Sequence, residues 1–442
     1  MLLMLSLPTT RHAALGACVA LTMFAAACGG SHAPTDSGTD GGVPADVDGG
    51  SQETDAGTDA GTDAGTDAGT DAGPDRCADV VCTALSACHE AGTCDPATGE
   101  CSNPVSADGT ACDDGAACTA NDACVEGVCV GSEPATDGTL CPCGACVDGE
   151  CGLRGLGATR TGDGTPSPIS LAVDDARAYF GNSGAGHAGQ ASVGSLPLTG
   201  GSATALASDL TGYPSLTIVD GTLYYTLGPA VWSVPTDGSA APTALFTGGG
   251  AGFAAIISDG ARLYLTTGAA GNSVVSMELT GGAPTPLATG EAAPLRMVTD
   301  GTRLYWINSG DGTIRAMPVA GGTPVTIATG TAPLGLAVDS THVYWTEPTT
   351  GEVLRAPLDT GVATPLATEQ AQPYAIMLFG GRVYWTNYNS GVYGAVMSVD
   401  LAGGEAAAVP GNPFAPAVLA HDAECIYVLH AGLGSVSSAP AL

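Results

Sequence analysis

Seven stretches of the chain share one pattern, in which a short apolar run leads into a turn and a second run carries an aromatic pair. The clearest second runs read LYWIN at 304–308, VYWTE at 343–347 and VYWTN at 383–387. Apolar runs of this length between turn-forming residues predict β-strands, because helical repeats would show a period of three to four.

The pattern recurs at intervals of 39 to 45 residues. The first runs end at Asp174, Asp220, Asp259, Asp300, Asp339, Phe379 and Asp422. The tyrosines of the second runs are Tyr179, Tyr224, Tyr264, Tyr305, Tyr344, Tyr384 and Tyr427. A period of about forty residues with several strands per unit is typical of β-propeller blades.

One unit shows four predicted strands, at 334–338, 342–346, 352–358 and 363–367. Consecutive strand residues point to opposite faces, so Tyr344 and Trp345 are both buried only if both faces of the sheet are covered. Each propeller blade packs between two neighbours and meets this condition. We therefore interpret the aromatic pairs as structural rather than as a binding cage. We also expect Asp339 and its equivalents to accept turn hydrogen bonds, with metal ligation as the alternative.

The last unit, 417–442, has room for three strands. The segment LGATRT at 156–161 precedes the first unit and can supply the missing outer strand, which would close the ring and remove its open sheet edges. The sequence therefore predicts an all-β fold with a seven-bladed β-propeller over 152–442. A six-bladed propeller is the alternative.

The motif LYW-[IT]-[NE] resembles the YWTD repeat of extracellular receptor propellers and, more loosely, NHL and lactonase-like propellers. Asn308, Glu347 and Asn387 stand where the terminal Asp of that repeat is expected. Members of the family usually have six blades, whereas this chain has seven units.

Residues 77–151 hold 13 of the 16 cysteines, with few apolar residues between them. This composition predicts a small disulfide-rich module, and it resembles the Cys-rich repeats of predicted surface lipoproteins of myxobacteria. Zinc binding by Cys141, Cys143 and Cys146 is the alternative. The disulfide candidates are Cys77, Cys82, Cys88, Cys94, Cys101, Cys112, Cys118, Cys124, Cys129, Cys141, Cys143, Cys146, Cys151 and Cys425.

The odd number of cysteines in the module leaves one for the distant Cys425. We expect a bridge between Cys425 and a module cysteine, most simply Cys151, which is nearest to the propeller in the sequence.

The N-terminus has the features of a signal peptide over residues 1–27. Arg11 precedes an uncharged run of about fifteen residues, and small residues then meet Cys28. This junction resembles a bacterial lipobox, which implies lipidation of Cys28 and a membrane anchor. Lipidation at Cys18 and simple secretion are the alternatives. Either route places the chain outside the cytoplasm. Gly29, rather than an Asp, follows Cys28, and this favours the outer membrane or cell surface.

Residues 28–76 form a predicted tether that contains five tandem TDAG repeats. Because this segment has almost no large apolar residues, we expect it to be disordered, with a reach of roughly 35–40 Å. Calcium binding by its regularly spaced Asp residues is the alternative.

The chain has 44 acidic and 11 basic residues and a formal net charge of −33, and its sequence contains no Lys. Nucleic acids are therefore not expected as partners, because their recognition depends on clustered cations. The charge leaves neutral, cationic or metal-bridged ligands.

Recognisable catalytic motifs are missing from the sequence. It has no nucleophile elbow, and a phosphate loop would need Lys. His187, His342, His421 and His430 occupy different places in their units. We therefore predict a surface-anchored lipoprotein whose propeller is a non-catalytic binding or scaffolding module for a protein or glycan, without a cofactor. The candidate binding loops contain Asn308, Asp311, Glu347, Asn387 and Tyr388. The alternative is an exported hydrolase or lyase with a metal, such as calcium, in the central channel.

Overall fold

The computed structural model describes residues 76–160, 167–183, 191–248, 250–388, 393–411 and 413–442. The predicted signal peptide, Cys28 and nearly all of the tether lie outside these residues. The described chain forms two compact units, one containing 76–116 and 120–133 and the other containing 117–119 and 134–442. The division falls inside the Cys-rich segment. No described helix is long and apolar enough to cross a membrane.

The Cys-rich segment contains seven short strands. They are β1 (Thr119–Ala120), β2 (Ala123–Val125), β3 (Val128–Val130), β4 (Glu133–Pro134), β5 (Leu140–Cys141), β6 (Gly144–Val147) and β7 (Glu150–Gly152). Strands β2 and β3 form a hairpin, and β5, β6 and β7 form a three-stranded antiparallel sheet. Such short strands bury little apolar surface, so disulfides are needed to hold them.

Seven disulfides join all fourteen cysteines of the described chain. They are Cys77–Cys94, Cys82–Cys101, Cys88–Cys124, Cys112–Cys129, Cys118–Cys146, Cys141–Cys151 and Cys143–Cys425. Zinc binding by Cys141, Cys143 and Cys146 is excluded, since each forms a different disulfide. The prediction that Cys151 pairs with Cys425 is wrong, because Cys151 pairs with Cys141 and Cys143 reaches Cys425. Disulfides in this number indicate an oxidising environment.

The described part of residues 154–442 folds into seven four-stranded antiparallel sheets, which we number as blades one to seven. A single short helix, α1 (Gly268–Gly271), lies in blade three. The strands of blades one to three are β9 (Pro168–Val173), β10 (Arg177–Ser183), β11 (Ala191–Pro197) and β12 (Thr204–Leu210); β13 (Ser215–Val219), β14 (Thr222–Leu227), β15 (Ala230–Pro235) and β16 (Thr243–Thr247); and β17 (Ala255–Ser258), β18 (Arg262–Thr266), β19 (Ser273–Glu278) and β20 (Thr285–Thr289).

The remaining blades have the same order of strands. They are β21 (Pro294–Thr299), β22 (Arg303–Asn308), β23 (Thr313–Pro318) and β24 (Val325–Thr329); β25 (Leu336–Val338), β26 (His342–Glu347), β27 (Glu352–Pro357) and β28 (Thr364–Ala367); β29 (Pro373–Phe379), β30 (Arg382–Asn387), β31 (Ala395–Asp400) and β32 (Ala407–Ala408); and β33 (Pro416–His421), β34 (Cys425–His430) and β35 (Ser435–Pro440), completed by β8 (Arg154–Ala158).

The first strands of the blades form the inner wall of a closed ring. Each first strand contacts those of the two neighbouring blades, and β33 of blade seven contacts β9 of blade one. The seven-bladed propeller is therefore confirmed, and the six-bladed alternative is wrong. The outer strand of blade seven, β8, pairs with β35 and starts two residues before the predicted segment.

The sheet of β5, β6 and β7 packs against blade seven, through contacts of β6 and β7 with β35. The Cys143–Cys425 disulfide connects the turn between β5 and β6 to the first residue of β34. After β7 the chain enters β8, the closing strand of blade seven, within two residues. A hydrogen-bonded strand and a covalent bond thus fasten the same junction of the ring.

The aromatic pairs are buried on opposite faces, as the sequence predicts. Trp306 packs in a cluster with Ala255 and Tyr264 of blade three, whereas Tyr305 packs with Leu336 and Trp345 of blade five. Both side chains are fully buried. Burial of a large side chain contributes roughly 1.5–3 kcal/mol, so each pair stabilises the packing of three consecutive blades.

Candidate functional site

The antiparallel order of the strands gives the propeller two different ends. One end carries the turns between first and second strands and between third and fourth strands; we call it the turn end. The other carries the turns between second and third strands and the connections between blades; we call it the connection end. Interblade hydrogen bonds at the connection end include Thr266 Oγ1 to Leu295 O at 2.9 Å and Thr346 Oγ1 to Tyr374 O at 2.8 Å.

At the turn end, an Asp accepts a hydrogen bond from the hydroxyl of the repeat tyrosine in five blades. The pairs are Tyr179–Asp174 at 2.7 Å, Tyr264–Asp259 at 2.8 Å, Tyr305–Asp300 at 2.9 Å, Tyr344–Asp339 at 2.7 Å and Tyr427–Asp422 at 2.6 Å. The same Asp also accepts backbone amides of its turn, as Asp339 does from Thr341 and His342. The expected turn role of these Asp residues is confirmed.

In the Tyr305–Asp300 pair these contacts shift the pKa values of both partners. Burial, followed by the hydrogen bond to Asp300, raises the pKa of Tyr305 above its usual range. Burial by itself would raise the pKa of Asp300, but hydrogen bonds from Thr302, Arg303 and Tyr305 outweigh it and lower that pKa. This pair is therefore most stable as a neutral phenol beside a carboxylate.

Blade six departs from this pattern because Phe379 occupies the position of the Asp. The hydroxyl of Tyr384 accepts the backbone amide of Leu442 instead, at 2.8 Å. The ring of Phe379 stacks on His421 of blade seven, with ring centroids 4.6 Å apart.

At the connection end, the three side chains that replace the terminal Asp of the YWTD repeat are buried inside the blades. Asn308 and Glu347 are 1% exposed and Asn387 is 8% exposed. Each helps to fix the connection that enters its own blade. This burial speaks against their predicted role as ligand contacts.

The junction between the entering connection and the end of the second strand is built in two ways. In blade four, Glu291 Oε2 accepts hydrogen bonds from Trp306 Nε1 at 3.1 Å and from Asn308 Nδ2 at 2.8 Å. In blade six, Gln370 Oε1 accepts from Trp385 Nε1 and from Asn387 Nδ2, both at 3.0 Å. Here the connection supplies the acceptor for the indole.

In blade five, the strand supplies the acceptor. Glu347 Oε1 accepts the indole N–H of Trp345 at 3.0 Å, and the carboxylate also accepts the amides of Thr331 and Ala332 at 3.1 and 2.7 Å. Gly330 is the connection residue whose amide donates to the preceding blade, as the amides of Glu291 and Gln370 do. A Cβ atom on Gly330 would collide with Glu347 Oε1. The acceptor of the indole N–H can therefore be supplied either by the connection or by the second strand.

Of the other two predicted binding residues, Asp311 is exposed and Tyr388 is half-buried. The carboxylate of Asp311 accepts the amide and the hydroxyl of Thr313 within its turn, at 3.0 and 2.7 Å. Tyr388 follows β30 and packs against Tyr374, with ring centroids 5.4 Å apart. Both lie at the connection end.

The connection end also carries aromatic residues that the sequence analysis did not select. Eight of the twelve tyrosines are the seven repeat tyrosines and Tyr225, all in second strands, and the other four lie at this end. They are Tyr213, Tyr374, Tyr388 and Tyr393. Tyr393 is 65% exposed and meets Phe414 edge to face, with centroids 5.7 Å apart. The sequence could have identified these four tyrosines as candidates, because they do not occupy the position of the repeat tyrosine.

The inner wall of the channel carries no carboxylate among the described residues. The seven first strands contain neither Asp nor Glu, and their only ionisable side chains other than Tyr374 are Arg296 and His421. Arg296 is 6% exposed and burial lowers its pKa, yet a guanidinium stays charged at neutral pH. Partly exposed positions on these strands are mainly apolar, such as Leu295 and Val298.

Within the described residues, three groups bring together enough potential metal ligands for one ion. Two consist of disulfide-bonded cysteines. The third contains Asp113, Asp114 and Asp122, whose carboxylates already accept amides of Gly115, Ala116 and Asp114. All three groups lie in the Cys-rich segment. His342, His421 and His430 are not brought together with other ligands, and His187 lies outside the described residues.

No protein-family model matches this chain, and no curated protein matches it. Solved structures do match. Selenomethionine-substituted virginiamycin B lyase from Staphylococcus aureus is 15% identical over 66% of this chain and 99% of that chain, with a TM-score of 0.54. A streptogramin B lyase structure is 11% identical over 65% of this chain and 96% of that chain, with a TM-score of 0.52. A nidogen/laminin complex is 22% identical over 49% of this chain and 88% of that chain, and its TM-score of 0.40 supports no argument.

Fold, repeats and comparisons together define the class of protein. The chain is a β-propeller protein with seven blades and YWTD-like repeats, and it carries a disulfide-rich N-terminal region. At these identities the likeness to the two lyase structures shows the fold alone.

Proposed function

We propose that this protein is an exported, lipid-anchored surface protein whose propeller binds a protein or a glycan without changing it chemically. The observation that carries the proposal is the composition of the channel wall. A metal-dependent hydrolase or lyase would need carboxylate or imidazole ligands converging from several blades. The described first strands offer only one imidazole, that of His421, and it is stacked on Phe379.

A binding role fits the connection end. Loops on a rigid scaffold are where proteins commonly place recognition residues. Here the buried junctions around Glu291, Glu347 and Gln370 hold the connections in fixed positions. An exposed side chain such as Tyr393 then projects from a frame that need not reorganise on binding.

Calorimetric titration of the full disulfide-bonded chain with calcium tests the non-catalytic part. We expect no tight stoichiometric binding by the propeller. The triple variant D113N/D114N/D122N is the control, because it removes the acidic group of the Cys-rich segment. Tight calcium binding that persists in this variant and after further deletion of the TDAG repeats at 54–73 would point to a channel metal and contradict the proposal.

Membrane fractionation of cells that express the full chain tests the anchor. We expect the wild-type chain in the membrane fraction and Cys28→Ser in the soluble exported fraction, because the acyl chains are lost. Cys18→Ser is the matched control and should remain at the membrane. The opposite result would assign lipidation to Cys18. Release of neither variant would remove the lipid anchor from the proposal.

A further inference from the structure

Aromatic side chains follow the connection end of blade six from the channel outward. Tyr374 lies on the innermost strand β29, Tyr388 follows the second strand β30, and Tyr393 precedes the third strand β31. Phe414, in the connection to blade seven, meets Tyr393. We call these four residues the aromatic track. Neighbouring strands are about 4.8 Å apart, so the track extends about 10 Å outward from the channel wall.

We propose that the aromatic track is a binding site for a neutral oligosaccharide. The proposal rests on the proposed function, and it names both the ligand class and the surface. A sugar ring has an apolar face of C–H groups that packs on an aromatic ring, and its hydroxyls need polar neighbours. Tyrosine supplies both parts, because it combines a flat apolar ring with a hydroxyl. A row of such rings suits a chain of successive sugar units better than a single compact ligand.

Charge narrows the ligand further. None of the four track residues carries a charge at neutral pH. Residues 152–442 contain 20 Asp and Glu against 9 Arg, a net charge of −11, so acidic polysaccharides would be repelled from the propeller. A neutral saccharide avoids this cost.

The ring geometry favours a saccharide over a proline-rich peptide. Such peptides dock into grooves lined by aromatic rings. The planes of Tyr374 and Tyr388 are tilted by 32° and those of Tyr393 and Phe414 by 89°. Neither pair forms a parallel-sided slot. Tyr393, which is 65% exposed, leaves ring surface on which a sugar unit can stack, whereas Tyr374, Tyr388 and Phe414 are half-buried.

The full chain should be titrated with cellohexaose and chitohexaose, and separately with a polyproline peptide and an acidic polysaccharide. We expect saturable binding of at least one neutral oligosaccharide. Loss of one stacked ring should weaken this binding about tenfold in Tyr393→Ala and in Tyr374→Ala. Tyr393→Phe should keep most of it, because the ring remains.

Tyr213→Ala is the matched control, since Tyr213 is 43% exposed at the same end but lies in the connection between blades one and two. It should bind like the wild-type chain. Thermal unfolding of each variant will show whether the fold is retained. Saccharide binding that Tyr393→Ala and Tyr374→Ala leave unchanged would overturn the inference, as would exclusive binding of the polyproline peptide or the acidic polysaccharide. In those cases a binding function would survive, whereas calcium-dependent alteration of the ligand would remove the proposed function as well.

Discussion

Cys143 and Cys425 form a disulfide between residues 282 positions apart, with their Cα atoms at 5.6 Å. The bond lies beside the junction at which β8 completes blade seven. Because the ring has no other covalent closure among the described residues, this disulfide fixes the point at which the propeller could most readily open.

Removing this disulfide should destabilise the propeller more than removing a short-range one. The double variant C143A/C425A should lose up to about 5 kcal/mol of unfolding free energy, because a very long loop is no longer closed in the unfolded chain. The control C141A/C151A opens a loop with a sequence separation of only 10 and should lose no more than about 3 kcal/mol. Urea unfolding followed by tryptophan fluorescence reports on the propeller, because all four Trp residues lie in it. An equal or reversed ranking would contradict the role assigned to the ring junction.

The junction of blade five should be convertible into that of blade six. Glu347→Asn alone removes the acceptor of the Trp345 indole, and Gly330→Gln alone places a side chain against Glu347. Each single variant should cost about 1–3 kcal/mol. The double variant G330Q/E347N copies the arrangement of Gln370 and Asn387. Its loss of unfolding free energy should therefore be smaller than the sum of the losses in the two single variants. Measured additivity would show that the two junction designs are not equivalent.

The tyrosine–aspartate pairs should contribute stability over a defined pH range. Tyr305→Phe should cost about 1–2 kcal/mol through loss of the hydrogen bond to Asp300. Tyr384→Phe is the control and should cost less, because its hydroxyl accepts only the amide of Leu442.

Because folding raises the pKa of Tyr305, the contribution of the phenol is complete below the ordinary tyrosine pKa of about 10 and is lost above it. Folding lowers the pKa of Asp300, so the contribution of the carboxylate is complete above the ordinary aspartate pKa and is lost as the pH falls below it. Tyrosinate absorbance and urea unfolding across these ranges will check both signs. Ionisation of the repeat tyrosines near pH 10 in the folded chain would contradict the assignment.

His430 should make the protein less stable in mildly acidic solution. It occupies the position of Asn308 in blade seven, is 3% exposed, and contacts Ser437 Oγ through Nε2 at 2.9 Å. Burial lowers the pKa of His430 from 6.5 to about 4, although a hydrogen bond with the Phe414 backbone raises it.

Between these pKa values His430 is protonated in the unfolded chain but neutral in the folded chain. The free energy of unfolding therefore falls as the pH falls, by about 3 kcal/mol in total. His430→Asn, which copies Asn308, should remove this part of the pH dependence, and His421→Asn should retain it. Urea unfolding at several pH values will measure it. An unchanged slope in His430→Asn would show that another group controls acid stability.

The fold could be predicted from the sequence because the repeat reflects contacts within each blade and between adjacent blades. In blade five the predicted strands agree with β25, β26, β27 and β28 to within two residues. Tyr344 and Trp345 also revealed that both blade faces are covered, since the two side chains of a strand must point apart. The closing strand could be found because one blade lacked its fourth strand.

The sequence could not predict contacts that depend on one residue meeting another across a connection. Thirteen module cysteines were available to Cys425, and nearness in sequence favoured Cys151 wrongly. The pairing of Glu291 with Asn308 spans a connection whose path is set by tertiary packing. For the same reason, three residues chosen as binding loops proved to be buried, and the exposed Tyr393 was not selected.

Hydrogen exchange of the full chain, with and without a bound ligand, tests the central claim that the connection end is the recognition surface. We expect ligand-dependent protection in the connections and second-to-third-strand turns, above all around residues 370–374 and 413–416, with no change in the turn-end segments 300–303 and 339–342. Protection confined to the turn end, or to the first-strand residues of the channel, would contradict this account.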